Sequence, residues 1–177
     1  MVFWKKLAAG ILFFHLSCTP LYGRGTGAVY AGKVIDSTKD VISAENAVGS
    51  PDGKLARMMY LGNLDLELSD RVMNKEGDDL DVFTQRLTTE VEPGTMVYEL
   101  YAKENKGDKW TYLGKGNAGG DQTNCRLTSF DLGGLNSAKH IRIVYKNPYY
   151  YTRYPKQFED TIGVDSVMAG SERYAKD

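Results

Sequence analysis

The sequence predicts an all-β fold, a sandwich or jelly roll of about nine strands, and three observations carry that prediction. Short runs in which apolar and polar residues alternate recur from Ala28 onward. Gly, Asn, Asp and Pro residues of the kind that turn a chain separate these runs. Apolar spacings of helical period are scarce. A strand sends successive side chains to opposite faces, so alternation with period two marks a sheet with one dry and one wet side. With no helices in the pattern to cover a parallel sheet, two sheets packed face to face are the remaining way to bury the apolar sides.

The elements follow in chain order. Val29–Val34 is the first run and Met58–Leu61 the second. After the Gly62-Asn63 turn, Leu64, Leu66 and Leu68 alternate with Asp65 and Glu67, a half-buried strand. Leu80–Thr84 comes next. Past Pro93-Gly94, Met96, Tyr98, Leu100 and Ala102 alternate with Val97, Glu99 and Tyr101. Asn105-Lys106-Gly107-Asp108 then turns the chain into Trp110-Thr111-Tyr112-Leu113, which makes the pair a hairpin. Gly114–Gly120 and Gly133-Gly134 read as joints on either side of Arg126–Leu132, and Ile141–Tyr145 and Ile162–Met168 complete the set.

The chain has 177 residues, one domain's worth, of which 42% are hydrophobic and 25% charged. Its 22 Lys and Arg against 23 Asp and Glu leave a net charge of −1. No basic surplus exists to hold a phosphate backbone, so nucleic acid is excluded as the leading partner. Lys5 and Lys6, the apolar run Leu7–Leu16 and the small exit at Ser17 have the layout of a secretory signal peptide over residues 1–17, with a buried N-terminal helix as the alternative. That run is too short to cross a bilayer. Removing it takes away two lysines and no acid, which moves the net charge from −1 to −3.

Leu16-Ser17-Cys18 resembles the end of a bacterial lipobox, with His15 where that pattern has an aliphatic residue. The resemblance makes Cys18 the expected lipidation site, a cut after Gly23 being the alternative. A lipid on Cys18 would leave Cys125 unpaired, as a small buried hydrophobe; a Cys18–Cys125 disulfide is the other outcome. The expected organisation is a tether over 18–27, a β-sandwich over 28–170 and a tail over 171–177.

Three segments in order resemble the galactose-binding-like β-sandwich superfamily, in the version found in exported bacterial surface proteins of the PEP-CTERM type. They are Ser43-Ala44-Glu45-Asn46-Ala47-Val48-Gly49-Ser50-Pro51-Asp52-Gly53-Lys54, Gly77-Asp78-Asp79-Leu80-Asp81-Val82-Phe83, and Gly163-Val164-Asp165-Ser166-Val167-Met168-Ala169. The resemblance implies a jelly roll over nearly all of the mature chain. It also implies that the early loop is tied to the start of the last strand, often through a structural calcium, which would bring Asp52 and Asp165 together. Calcium takes six to eight oxygens from irregular loops, and Glu45–Gly53 offers them; the Asp78-Asp79-Asp81 run is a second candidate.

Catalysis is poorly supplied. His140 is the one histidine left after the leader, and it sits inside a strand pattern, where a strand residue with a satisfied imidazole is expected. The most unusual segment holds Tyr149, Tyr150, Tyr151, Arg153 and Tyr154 before Pro155, in the loop between the last two strands. Tyrosine and arginine are enriched in binding surfaces, so this run is the expected contact for a glycan or an extracellular protein. The function expected is a non-catalytic binding module of the cell envelope that touches the membrane only through a lipid anchor. The alternatives are a structural envelope lipoprotein without a soluble ligand and a carboxylate-dependent glycoside hydrolase.

Overall fold

The computed structural model describes residues 28–87, 96–118, 125–146 and 161–169. Ten strands run in chain order: β1 Val29–Ser37, β2 Val41–Ile42, β3 Ala56–Met59, β4 Asn63–Met73, β5 Leu80–Arg86, β6 Val97–Lys103, β7 Thr111–Asn117, β8 Arg126–Phe130, β9 Ser137–Lys146 and β10 Thr161–Ala169. The nine expected strands are all present, and the two-residue β2 is additional, too short to show an alternation. The one helical piece among the described residues is a single 3-10 turn, Ala44–Ala47.

Two antiparallel sheets form a sandwich. One holds β2, β3, β10, β5 and β8; the other holds β1, β4, β9, β6 and β7. Strand β1 belongs to both: Val29 and Tyr30 pair with Ala169 and Met168 of β10, and from Ala31 onward the strand pairs with β4. Gly32 marks the change of sheet, where the β4 backbone passes so close that an added Cβ would stand 3.1 Å from the Ser69 Cα. Leu64, Leu66 and Leu68 of β4, Leu100 of β6, Ile141 and Ile143 of β9 and Val82 of β5 fill the space between the sheets, all at most 1% exposed. That is the dry side the alternation called for.

Strand β10 is buried at every position, because the sheet it centres has a second cover. The segment from Ser43 to Leu55 lies over its outer side. Leu55 packs onto Gly163, the Ser166 hydroxyl donates to the Gly49 carbonyl at 2.7 Å, and the Gly49 amide donates to the Ala31 carbonyl at 2.9 Å.

The sequence placed a joint at Gly114–Gly120, and here the fold differs: β7 continues through Gly114 and Gly116 to Asn117. The cause is Tyr98, which is fully buried and pairs with Gly116 across the hairpin, its ring lying where a side chain at Gly116 would be. The glycine is a notch in a strand wall.

Candidate functional site

The second sheet turns one side outward, and its side chains line up in rows because every neighbouring pair is antiparallel, with bulges in the β1–β4, β4–β9 and β6–β7 pairs that shift the register locally. The first row runs Lys33, Glu67, His140, Lys103; the second runs Asp36, Asp65, Arg142, Tyr101, Tyr112; the third runs Asn63, Val144, Glu99, Lys115. Trp110, just before β7, adds its ring beside Lys103 and Arg142.

The face is electrostatically fixed. Arg142 grips Asp65 with two bonds, Nε to Oδ1 at 2.7 Å and Nη2 to Oδ2 at 2.6 Å, and this pairing pushes the guanidinium pKa up. Lys33 meets Glu67 at 2.9 Å, and that bond, with help from Lys139, holds the glutamate below the usual carboxylate range. Lys146 meets Glu99 at 2.7 Å while the Tyr101 hydroxyl donates to the same carboxylate at 2.6 Å, and the two depress its pKa in that order. Over Trp110, Lys103 Nζ stands 4.3 Å and Arg142 Cζ 4.5 Å from the ring centroid, cation–π contacts that hold both side chains in place. Tyr101 and Tyr112 tilt together at 5.4 Å and 60°, leaving Tyr112 49% exposed. The result is an open aromatic surface framed by hydrogen-bonding groups that are already oriented.

His140 departs from expectation. Its Nδ1 is buried with no hydrogen-bond partner among the described residues, and desolvation, against the pull of Glu67, lowers the imidazole pKa. One ring nitrogen of the imidazole is thus left unmet among the described residues.

The pair Asp52 and Asp165 is brought together, through backbone as well as carboxylate. The amides of Asp52 and Gly53 donate to Asp165 Oδ1 and Oδ2 at 3.1 and 3.2 Å, while the Asp52 carboxylate accepts from the Lys54 amide and ammonium at 2.9 and 2.7 Å. Burial drives the Asp165 pKa up to about 6 against those two amide bonds. All four oxygens thus accept from N–H or ammonium donors, and no cluster of three or more His, Cys, Asp or Glu gathers for a metal among the described residues. Asp79 accepts from the amides of Lys75 and Leu132, and Asp81 from the Ser129 hydroxyl, so these two carboxylates of the acidic run staple turns and strands.

Cys125 is half-buried at the entry to β8 and disulfide-bonded, which corrects its reading as an unpaired hydrophobe. The chain has two cysteines, and a sulfur in that bond is closed to a lipid thioether. Cys18 lies outside the described residues, as do Tyr149, Tyr150, Tyr151, Arg153 and Tyr154. Sequence reasoning missed the outer face. Its signal was the wet half of the β6 alternation, where Tyr101 is an aromatic residue on the side that faces water.

No protein-family model matches the chain, and no curated protein matches it. Solved structures similar to it are carbohydrate-binding modules. A family 32 module from a family 31 glycoside hydrolase of Clostridium perfringens has a TM-score of 0.48 at 13% identity, over 81% of this chain and 91% of that one. The family 32 module of AlyQ, in complex with 4,5-unsaturated mannuronic acid, has a TM-score of 0.47 at 12% identity, over 79% and 97%. A family 29 module has a TM-score of 0.44 at 10% identity, over 79% and 77%.

Proposed function

We propose that this protein is a non-catalytic glycan-binding module of the bacterial cell envelope. The observation that supports it is the outer face of the second sheet, where the half-exposed Tyr112 ring and its partner Tyr101 stand between the fixed Asp65–Arg142 pair and Glu99. A sugar ring has an apolar face and a rim of hydroxyls, and it is met by an aromatic surface with donors and acceptors around it. The run Tyr149, Tyr150, Tyr151, Arg153 and Tyr154 enters the chain shortly beyond Lys146, whose ammonium reaches Glu99 on this face, and it is assigned a second set of contacts to the same ligand.

The leader supports export. Within the envelope, a lipid on Cys18 and a Cys18–Cys125 bond are exclusive fates of one sulfur, and the bond at Cys125 favours the second. A calcium ion at Asp52 and Asp165 belongs to this reading as a structural element. It would take over the acceptor oxygens now held by Lys54 and meet the buried Asp165 charge, to which no cationic side chain is bonded among the described residues. The PEP-CTERM-type surface location rests on the three resembling segments.

A glycan array probed with the wild-type chain and with Tyr112→Ala tests the reading. Wild type retains at least one class of oligosaccharide, and the variant loses about 1–2 kcal/mol of that affinity with little change in melting temperature, since the ring it removes is half in water. Absence of any retained glycan, or a variant that binds as tightly as wild type, refutes it. Capture of an envelope protein through Tyr112 would establish the protein-binding alternative instead.

A further inference from the structure

We propose that the ligand of this face is an acidic saccharide, with carboxylate or sulfate groups on its sugars and one of those anions bound at Lys103 beside Tyr112. The inference rests on the glycan reading above and narrows it to a chemical class.

The charges of the face are unevenly committed. Of the carboxylates in the three rows, Asp65 is engaged by Arg142, Glu67 by Lys33 with Lys139 at 3.9 Å, and Glu99 by Lys146 and the Tyr101 hydroxyl, while Asp36, at the far end of the second row from the tyrosines, accepts from the Ser37 amide. Lys103 is different. Its ammonium donates to the Lys106 carbonyl at 2.7 Å and lies over Trp110, so among the described residues its partners are a carbonyl and a ring, with no carboxylate. Lys115 is exposed on the opposite side of the tyrosine pair, across from Glu99. Side chains on one face of a strand repeat about every 6.8 Å, so the two lysines flank Tyr101 and Tyr112 one row to either side, within the reach of a short oligosaccharide. In a chain whose mature charge is negative, this local cationic frame around an exposed ring is not the average surface.

A second observation points to the same place. His140 is the cross-strand neighbour of Lys103 in the first row; it is 6% exposed, and its Nδ1 has no partner among the described residues. A buried polar atom left unpaired costs free energy that a ligand group or a ligand-ordered water recovers. A neutral imidazole can supply either a donor or an acceptor there. The ammonium of Lys103 is also held in place before any ligand arrives, so binding an anion costs little further side-chain freedom. A neutral sugar could use the ring and the histidine but would leave the Lys103 charge unanswered.

Isothermal titration of the full chain with four oligomers tests this: a galacturonate oligomer, a sulfated galactan oligomer, and neutral galactan and mannan oligomers. The expected result is that at least one acidic oligomer binds about tenfold or more tighter than the neutral ones at low ionic strength, with the gap narrowing as salt is added. Lys103→Gln abolishes that preference with the melting temperature in place, and Lys103→Arg retains most of it. Equal affinity for acidic and neutral oligomers, or a salt-sensitive preference that survives Lys103→Gln, overturns the acidic class and leaves the glycan reading standing. Absence of binding to all four by a protein that melts as a folded domain, together with an empty glycan array, overturns both. If Lys103→Gln melts early, Lys115→Gln replaces it: an acidic preference weakened by that change supports the proposal, and one unaltered in size and salt dependence counts against it.

Discussion

His140 shows how a single side chain can be legible and still misjudged. That the chain has two histidines and that His140 lies inside a strand pattern is plain from the sequence; that its Nδ1 has no partner among the described residues depends on surroundings such as Glu67 and Lys103, which come beside it only through strand pairing. Its folded pKa lies below the ordinary histidine value because burial disfavours the charged ring. The unfolded chain therefore takes up the proton first as pH falls. Stability that is present above about pH 6.5 is lost below it. Asp165 acts in the opposite sense: its carboxyl is raised to about 6, so its contribution is full below the unfolded value near 4 and disappears as pH rises through 6. The two slopes oppose each other, so the difference between wild type and His140→Gln isolates the histidine. Denaturant midpoints at pH 7.5 and 5.5 should show the variant losing less stability on acidification than wild type. Parallel pH profiles would mean that His140 titrates alike in both states.

At the scale of the element, nine strands could be read from alternation because period two is a local property of the chain. The end of β7 could not. Glycine in a run normally signals a turn, and Gly116 is there because Tyr98, from the opposite strand, occupies the space its side chain would need. Gly116→Ala should destabilise the domain by about 1–3 kcal/mol, the usual range for overpacking a core, and lower its melting temperature by several degrees. Gly134→Ala is the control, since an added Cβ there has nothing within 4 Å and should be nearly neutral. Comparable losses in both variants would show that chain flexibility, and not the Tyr98 ring, sets the requirement. The same logic explains why Tyr101 and Tyr112 went unnoticed as a site: the hairpin was legible, but which neighbours its wet side meets was not.

Over the whole molecule the order of the strands carries information that no segment contains. Asp65 and Arg142 are joined by two hydrogen bonds, yet they are far apart in the chain, and the outer face is assembled from five strands. Cys125 raises a molecular question of the same kind. Mass spectrometry under non-reducing conditions should find a monomer lighter than the reduced chain by the pair of hydrogens a disulfide removes, with no palmitate label; a label that vanishes in Cys18→Ser would instead establish the lipid anchor, and a disulfide-linked dimer would place the bond between chains. Finally, strand β1 is shared by both sheets, and it is where any segment upstream of Val29 enters the fold. Tension from an N-terminal attachment would therefore load β1 lengthwise against both β4 and β10. Strands pulled lengthwise past each other must break their ladder bonds together, whereas a strand peeled from an edge breaks them one at a time. A module that holds a polymer on the β4, β9 and β6 face while restrained through β1 is thus joined to its load by the strand whose detachment requires both sheets to yield.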